Sequence, residues 1–279
     1  MPDPLAVTAA RLRALMPGFP DTYAVETEVP DGAGWWRLEA VPVAQWCRDA
    51  QATGNPHRLA SVAAMAVGGA VTHAVLARVT AALALDTVAW DVAADALVVH
   101  RAPWGHIDRV ALRNPVAWVV GGDVGAGRVL PDEAALLDAV AATAVATLAP
   151  LLHEVRAATH FGLVPLWNGA ADTVRLTADQ VFRYAGRPPA SGSVLAAAFL
   201  DALLARGAPI RSRGVEQQLA GRPDRMPVRA ACCLAYRTDP PVPRPSDALC
   251  TTCPLLPAPE RARRYIAFVD GLSASGPVR

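Results

Sequence analysis

Residues 56–85 read PHRLASVAAMAVGGAVTHAVLARVTAALAL, and this alanine-rich stretch predicts one long helix around which the rest of the chain can pack. Between Leu59 and Ala77 it carries no formal charge, over a length close to that of a membrane span. Most of its residues are small and His73 lies within it. We therefore expect a helix buried in a protein core, with a membrane span as the alternative. The pair Gly68–Gly69 is predicted to let another element approach closely.

The composition is that of a globular protein. Of the 279 residues, 53% are hydrophobic and 18% are charged, which argues against a disordered chain. The net charge of +1 gives no sign of a nucleic-acid partner. Met1–Leu15 lacks the basic and apolar regions of a secretory signal, so we expect a cytoplasmic location, either free or peripheral at the inner face of the membrane. Because the alanine-rich stretch is interpreted as a core helix, we expect no membrane span. Clustered cysteines in that reducing compartment are more often metal ligands than disulfides.

The other helices are predicted from capping residues, apolar spacing and helix breakers. We expect them at Pro4–Met16, Val43–Thr53, Asp132–Leu148, Pro150–Thr159, Thr177–Tyr184, Ser191–Arg206 and Glu260–Leu272. Short apolar runs separated by Pro, Gly and Asn predict a small antiparallel sheet. Its strands are expected at Ala96–His100, Ile107–Leu112 and Val116–Val120, with a weak further strand at Asp21–Val29.

Four of the five cysteines fall close together. Cys232 and Cys233 are adjacent, sixteen residues follow, and Cys250 and Cys253 form a Cys-x-x-Cys pair of the kind that binds metals. Adjacent cysteines diverge on an extended backbone, so they suit a larger centre such as a 2Fe–2S cluster, whose two irons need two thiolates each. Structural zinc on the same thiolates is the main alternative, and disulfides are a lesser one. Cys47 stands alone and is interpreted as a small, buried hydrophobe.

The cysteines belong to a longer motif. Residues 229–237 read RAACCLAYR and residues 250–255 read CTTCPL. This pattern of an Arg, a double Cys, Leu-x-Tyr-Arg, a spacer and Cys-x-x-Cys-Pro-Leu resembles the C-terminal motif of the FhuF-like ferric siderophore reductases. The spacer is longer than the family's because of a proline-rich insert at Thr238–Asp247. A weaker similarity lies at residues 166–171, LWNGAA, where the family has Trp-Gly-Asn-x-Ala-Ser.

The resemblance implies a one-electron reductase with a 2Fe–2S cluster on the four clustered cysteines. Such an enzyme reduces a ferric siderophore of the hydroxamate type and releases Fe(II). It needs an external electron donor, either a ferredoxin or a small-molecule reductant, and no catalytic residue beyond the cluster. The residues predicted to contact the substrate are Trp167, Asn168, Arg229, Tyr236 and Arg237. Two alternatives stay open, a zinc-stabilised non-catalytic binding protein and a 2Fe–2S electron carrier without a substrate.

The predicted fold class is α+β, with a mainly helical body, a small antiparallel sheet and an irregular C-terminal segment that binds the cluster. We place the body at residues 1–206 and the cluster-binding segment, packed on the body, at residues 207–279. Residues 206–264 are rich in arginine and contain fewer carboxylates. This excess predicts either a basic face beside the cluster or an ordinary solvated surface.

Overall fold

The computed structural model describes residues 3–16, 20–53, 55, 58–102, 105–121, 127–222, 225–237 and 249–274. Its helices are α1 (Pro4–Leu15), α2 (Pro20–Tyr23), α3 (Val43–Ala52), α4 (Ala60–Thr72), α5 (Arg78–Asp86), α6 (Glu133–Thr159), α7 (Leu163–Tyr184), α8 (Pro189–Ala205) and α9 (Ala258–Ala274). A π-helical turn spans His73–Ala77, and 3-10 turns span Leu38–Ala40 and Ala235–Arg237. The strands are β1 (Trp35–Arg37), β2 (Val88–Ala89), β3 (Leu97–Arg101), β4 (Ile107–Leu112), β5 (Trp118–Val120), β6 (Arg128–Leu130), β7 (Val215–Gln218) and β8 (Arg225–Val228).

The alanine-rich stretch is the central helix, as predicted. Helix α4, the π-helical turn and α5 run without a break, and apolar side chains are buried along the whole length. The stretch packs against α3, α6 and α7, and its far end packs against α1. A Cβ atom at Gly68 would come within 2.7 Å of the Leu166 side chain, so the predicted close approach of another element is confirmed. The helix begins at Ala60, after the extended N-cap residue Leu59, so the predicted start at Pro56 is too early, although Pro56 itself lies outside the described residues.

Two stretches of the described chain, Ala60–Asp86 and Glu133–Thr159, are long and apolar enough to cross a membrane by length and composition alone. Both contribute buried side chains to the main hydrophobic core. Core helices of globular proteins pass the same test of length and composition. The expectation that the chain has no membrane span therefore stays a prediction.

Helix α6 is one continuous helix, and the prediction of two helices separated at Pro150 is wrong. Proline removes a backbone N–H and leaves the carbonyl four residues earlier without its helical partner. Pro150 and Ala146 both lie on the exposed side of α6, where water can bond to that carbonyl. The apolar positions on the opposite side, Leu148 and Leu152 among them, are fully buried and hold the helix together across the proline.

Helix α7 begins well before its predicted start at Thr177. Its first half contains Pro165, Asn168 and Gly169, which are poor helix formers. Burial of Leu166 and Trp167 in the main core compensates for the weak local preference. Helix α8 agrees closely with its predicted bounds, although Pro189 and not Ser191 begins it. The predicted stop at Gly207 is confirmed, since Gly207 follows the helix with a left-handed φ of 90°.

The predicted antiparallel pair is confirmed, but the third strand belongs elsewhere. Strands β3 and β4 are antiparallel, with β1 on the other edge of β3. Strand β5 lies in a second sheet, antiparallel to β2 and parallel to β6. The strand expected at Asp21–Val29 is wrong. Residues 20–23 are helical, and the rest of that run contributes an isolated bridge between Glu26 and Ala111.

The C-terminal segment contains more regular structure than predicted. Strands β7 and β8 form an antiparallel hairpin within residues 207–259, where we expected irregular backbone. Helix α9 covers the predicted Glu260–Leu272 and is slightly longer. Its Tyr265 and Val269 form a small core with Leu219, Met226 and Val228 of the hairpin region. The α+β class of the chain is confirmed.

Candidate metal centre

The four clustered cysteines come together between the hairpin and α9. Cys232 and Cys233 follow β8, and Cys250 and Cys253 lie in the turn before α9. The Cys232 side chain contacts that of Cys253, and the Cys233 side chain contacts that of Cys250. Each contact therefore joins the double cysteine to the Cys-x-x-Cys turn.

The backbone bends sharply after the double cysteine. Leu234 has a left-handed φ of 58°, a conformation that a leucine adopts only where its surroundings impose it. The bend lets the N–H of Leu234 donate to the Cys232 sulfur and the N–H of Ala235 donate to the Cys233 sulfur. The bend follows the double cysteine, and it is compatible with a single metal ion as well as with a larger centre.

The donor set fits a binuclear cluster in its chemistry. Cys232 contacts Cys253 and Cys233 contacts Cys250, and electrostatic interactions also link Cys232 with Cys233 and Cys250 with Cys253. Four thiolates are the ligand set of a 2Fe–2S cluster and equally that of a structural zinc. Within the described residues, no three His, Cys, Asp or Glu side chains group tightly enough to hold a metal ion. Thiolates are also the soft ligands that iron–sulfur clusters take.

The thiols differ in acidity because of their contacts. The pKa of Cys233 is lowered to about 5, first by the hydrogen bond that its sulfur accepts from the Cys250 thiol, then by the N–H of Ala235 and the charge of Arg229. The same hydrogen bond, with burial, raises the pKa of Cys250. Burial raises the pKa of Cys232. A thiolate at Cys233 is the form that binds metal.

Cys47 takes no part in this group. It lies in α3, is 2% exposed and packs in the main core, so its prediction as a buried hydrophobe is confirmed. Burial raises the pKa of the Cys47 thiol to about 11. At neutral pH it therefore stays protonated and unreactive.

A row of polar side chains on α7 holds the backbone that leads to the cysteines. The Asn168 side-chain oxygen accepts hydrogen bonds from the N–H groups of Arg211 and Ser212, at 3.0 and 3.1 Å. One turn later, the Asp172 carboxylate accepts from the N–H groups of Ala230 and Ala231, at 2.7 and 3.0 Å. Asp172 is 3% exposed, and burial raises its pKa.

The row of polar side chains on α7 continues toward α9. Arg175 donates to the carbonyls of Val215 and Val228, each at 3.0 Å, and so clamps the hairpin. The Tyr265 hydroxyl donates to Asp179 at 2.7 Å, which ties α9 to α7. Positions 168, 172, 175, 179 and 183 recur at helical spacing, so they lie along one face of α7. We call Asn168, Asp172, Arg175, Asp179 and Arg183 the polar row.

Two bonds link the halves of the motif directly. The N–H of Arg229 donates to the carbonyl of Thr252 at 3.0 Å, and its Nε donates to the Thr252 hydroxyl at 3.2 Å. From α9, the buried Arg261 donates to the carbonyls of Cys253 and Leu256, at 2.9 and 3.1 Å. The Cys-x-x-Cys turn is thus held on one side by Arg229 and on the other by Arg261.

The predicted substrate residues divide into three groups. Arg229 lies beside the thiols and lines a cavity, which is compatible with its predicted role. Tyr236 and Arg237 lie together in the 3-10 turn after the cysteines, where Arg237 Nε donates to the Tyr236 hydroxyl at 3.0 Å. Trp167 is 1% exposed within the core, so it does not reach a pocket. The side-chain oxygen of Asn168 is used by two backbone N–H groups, and its contact with a substrate stays a prediction.

The arginine-rich segment does not present a uniformly basic face. Carboxylates from α6, α8, the hairpin and α9 form ion pairs with many of the arginines in residues 206–264. Several of these carboxylates lie outside that segment. The ion pairs are Arg206–Asp138, Arg213–Asp201, Arg222–Asp270, Arg225–Glu216, and Arg263 and Arg264 with Glu260. The alternative of an ordinary solvated surface fits these pairs better.

A cavity of about 370 Å³ opens beside Cys250. The body contributes one wall through Tyr23, His73 and α7, and the C-terminal segment contributes the other. Sequence reasoning missed Asp172 and Arg261 at the thiols and His73 at this cavity. The proline-rich insert Thr238–Asp247 lies outside the described residues.

Comparison of the chain with models of known protein families, with curated proteins and with solved structures gives no match. The resemblance to the FhuF-like reductases therefore rests on the motif residues themselves.

Proposed function

We propose that this protein is a ferric-siderophore reductase that carries a 2Fe–2S cluster on Cys232, Cys233, Cys250 and Cys253. The observation that carries the proposal is the pairing of the four thiols across the two halves of the motif, beside a cavity large enough for part of a small molecule. The motif's resemblance to the reductase family supports the substrate, a ferric complex of the hydroxamate type.

When bound, the cluster would supply single electrons, taken from a ferredoxin or a small-molecule reductant, for the reduction of the substrate's Fe(III) to Fe(II). The chain's own residues have simpler tasks. Four thiolates hold the cluster, and the N–H groups of Leu234 and Ala235 bond to two of the sulfurs. Such hydrogen bonds to sulfur tune the potential of a cluster. The arginines at positions 229 and 261 fix the Cys-x-x-Cys turn.

Reduction suffices for release because hydroxamate oxygens are hard ligands that hold Fe(III) far more tightly than Fe(II). No acid–base pair or nucleophile is needed for such a reaction. We propose a cytoplasmic location, free or at the inner face of the membrane, where reductants are available.

The test starts with protein purified without oxygen. We expect visible absorption typical of a 2Fe–2S cluster, with two irons and two sulfides per chain. The reduced protein should then reoxidise when mixed with a ferric trihydroxamate, and a ferrous-specific chelator should capture equivalent Fe(II). A colourless protein with one zinc per chain would overturn the proposal in favour of the zinc-stabilised alternative. A reduced cluster that leaves the ferric complex untouched would favour the electron carrier.

A further inference from the structure

The cavity beside Cys250 lies where the C-terminal segment packs on the body, so neither part forms it alone. From the body come side chains of α2, the π-helical turn and α7. From the C-terminal segment come Arg229, the Cys-x-x-Cys turn and α9. The lining residues used below are Tyr23, His73, Leu176, Arg229, Tyr265 and Phe268.

His73 lines the cavity from the body. It occupies the π-helical turn between α4 and α5, and such turns often occur at functional sites. Its ring lies 5.9 Å from that of Tyr23. Neither ring nitrogen has a hydrogen-bond partner among the described residues. Burial lowers the pKa of His73 to about 3, so the ring is neutral at pH 7 and offers one donor and one acceptor.

Arg229 offers further donors on the opposite wall. Its backbone N–H and its Nε are used by Thr252. Its two terminal amino groups have no partner within the part of the chain that the structure describes. A guanidinium carries five N–H donors, so most of its donor capacity remains for a ligand.

The fixed charges at the cavity leave no unpaired cation. The Arg229 cation is near the Asp172 carboxylate and the Cys233 thiol, and it lowers the pKa of both groups. The Asp179 carboxylate, also on the wall, is paired with Arg183 at 3.0 Å. An anionic ligand would therefore lose hydration without gaining an unpaired counter-charge. The cavity therefore suits a neutral group that accepts hydrogen bonds.

The remaining walls are apolar and aromatic, from Leu176, Tyr23, Tyr265 and Phe268. At about 370 Å³ the cavity is near the lower end of the range for small-molecule sites. It is suited to one arm of a linear siderophore, with the iron centre outside and next to Cys250.

We propose that this cavity binds one neutral, amide- or hydroxamate-bearing arm of the substrate, with Arg229 and His73 as its hydrogen-bonding groups. The inference rests on the proposed function, because it identifies the substrate arm. It adds a binding subsite to which the helical body contributes His73, more than 150 residues before the first ligand cysteine in the sequence.

The experiment uses the gallium(III) complex of a linear trihydroxamate, which mimics the ferric complex and is not reduced. Its affinity for the cluster-loaded protein is measured by calorimetry. The His73→Phe substitution keeps an aromatic ring but removes both nitrogens, and should weaken binding about three- to tenfold, as for one net hydrogen bond. Leu176→Trp should abolish measurable binding, because the indole fills the cavity. His153→Phe, the same substitution at an exposed site, should bind like the wild type.

Circular dichroism and cluster absorbance verify that each variant is folded and loaded. Wild-type affinity in both cavity variants would overturn the subsite, and so would tighter binding of the strongly anionic gallium tricatecholate. The proposed subsite and the proposed reductase activity can be refuted independently of each other. Cavity variants that reduce the ferric complex at the wild-type rate would refute the subsite alone. Cavity-dependent binding of the gallium complex, without any reduction of the ferric one, would refute the reductase alone.

Discussion

The buried carboxylate of Asp172 accepts a hydrogen bond of 2.7 Å from the backbone N–H of Ala230, two residues before the double cysteine. Its second oxygen accepts from Ala231 at 3.0 Å. Fifty-eight residues of sequence separate Asp172 from Ala230, so this contact fixes the path of the cysteine segment across the body. It links the helical body directly to the candidate metal centre.

We expect Asp172→Asn to loosen that link. The amide keeps one acceptor oxygen but turns an NH₂ group toward the second N–H, which should cost about 1–3 kcal/mol of local stability. Hydrogen exchange of Ala230, Ala231 and the double cysteine should accelerate, while exchange in α4 stays unchanged. The control is Asp138→Asn, which removes an exposed ion pair with Arg206. Equal exchange rates in both variants would contradict the anchoring role.

Arg261 and Arg263 lie two residues apart on α9, and the same substitution should destabilise the protein much more at Arg261 than at Arg263. Arg261 is 9% exposed and donates to two carbonyls of the Cys-x-x-Cys turn. Arg261→Met leaves those carbonyls without their donor and should lower the free energy of unfolding by about 3 kcal/mol. Arg263→Met removes a surface pair with Glu260, which should change stability by less than about 1 kcal/mol. Denaturant titration of the two variants measures both values, and similar losses would refute the assignment.

Single Cys→Ser changes test the choice of ligands. Each change at Cys232, Cys233, Cys250 or Cys253 should bleach or destabilise the cluster, because serine is a poor substitute for a thiolate on iron. Cys47→Ser should leave the visible spectrum intact, since Cys47 is buried in α3 away from the thiol group. The spectra are recorded without oxygen on freshly purified protein. Loss of colour in the Cys47 variant would show that the ligand set is different.

His73 should make the protein sensitive to acid. Its pKa is lowered from 6.5 to about 3, first by burial and then by the charge of Arg78. The unfolded chain takes up the proton below pH 6.5 and the folded chain does not. The stability is therefore complete above pH 6.5 and falls by up to about 1.4 kcal/mol per pH unit below it.

His73→Gln removes this titration and stays neutral. Denaturant titrations from pH 7.5 to 5 should show that the stability of the variant, relative to the wild type, rises as the pH falls. The difference cancels contributions from all other groups. His153→Gln, at an exposed site, should follow the wild-type curve. Parallel curves for the wild type and His73→Gln would contradict the prediction.

Gly214 and Gly221 provide a matched pair of left-handed glycines, with φ of 71° and 72°. Alanine at either should cost about 1 kcal/mol for the backbone conformation. At Gly214 the added methyl would also collide with the Arg175 guanidinium and the Val228 carbonyl, whereas at Gly221 it meets no atom of the described residues within 4 Å. Gly214→Ala should therefore cost about 1–3 kcal/mol more. Thermal unfolding of the two variants gives the comparison, and equal melting temperatures would count against the close packing.

The parts of the fold that local sequence specifies were predictable. The central helix follows from its alanine content, and β3 and β4 follow from short apolar runs bounded by breakers. Helix α7 was mostly missed, because Pro165 and Gly169 disfavour a helix that only burial of Leu166 and Trp167 maintains. The helix break expected at Pro150 does not occur, because tertiary packing of α6 outweighs the one backbone hydrogen bond that proline removes.

The candidate site was predictable only in its thiols. The spacing of the four cysteines indicates that they meet, and in the structure they do. Asp172 was not found, because a single buried carboxylate has no local signal that distinguishes it from a surface one. A signal did exist in the polar row, since Asn168, Asp172, Arg175 and Asp179 recur at helical spacing on an otherwise buried helix. Such a stripe on a core helix indicates a second part of the chain bound to it.

The polar row allows the chain to fold before it binds a metal, whereas small metalloproteins combine folding with metal binding. A zinc finger stays unfolded until its ion arrives, because few other contacts order the chain. Here α7 supplies backbone partners for the segment that leads to the cysteines, so contacts within the protein already hold that segment on the body. If the chain carries the proposed cluster, folding and cluster insertion would be separate steps, and insertion would cost little further conformational entropy.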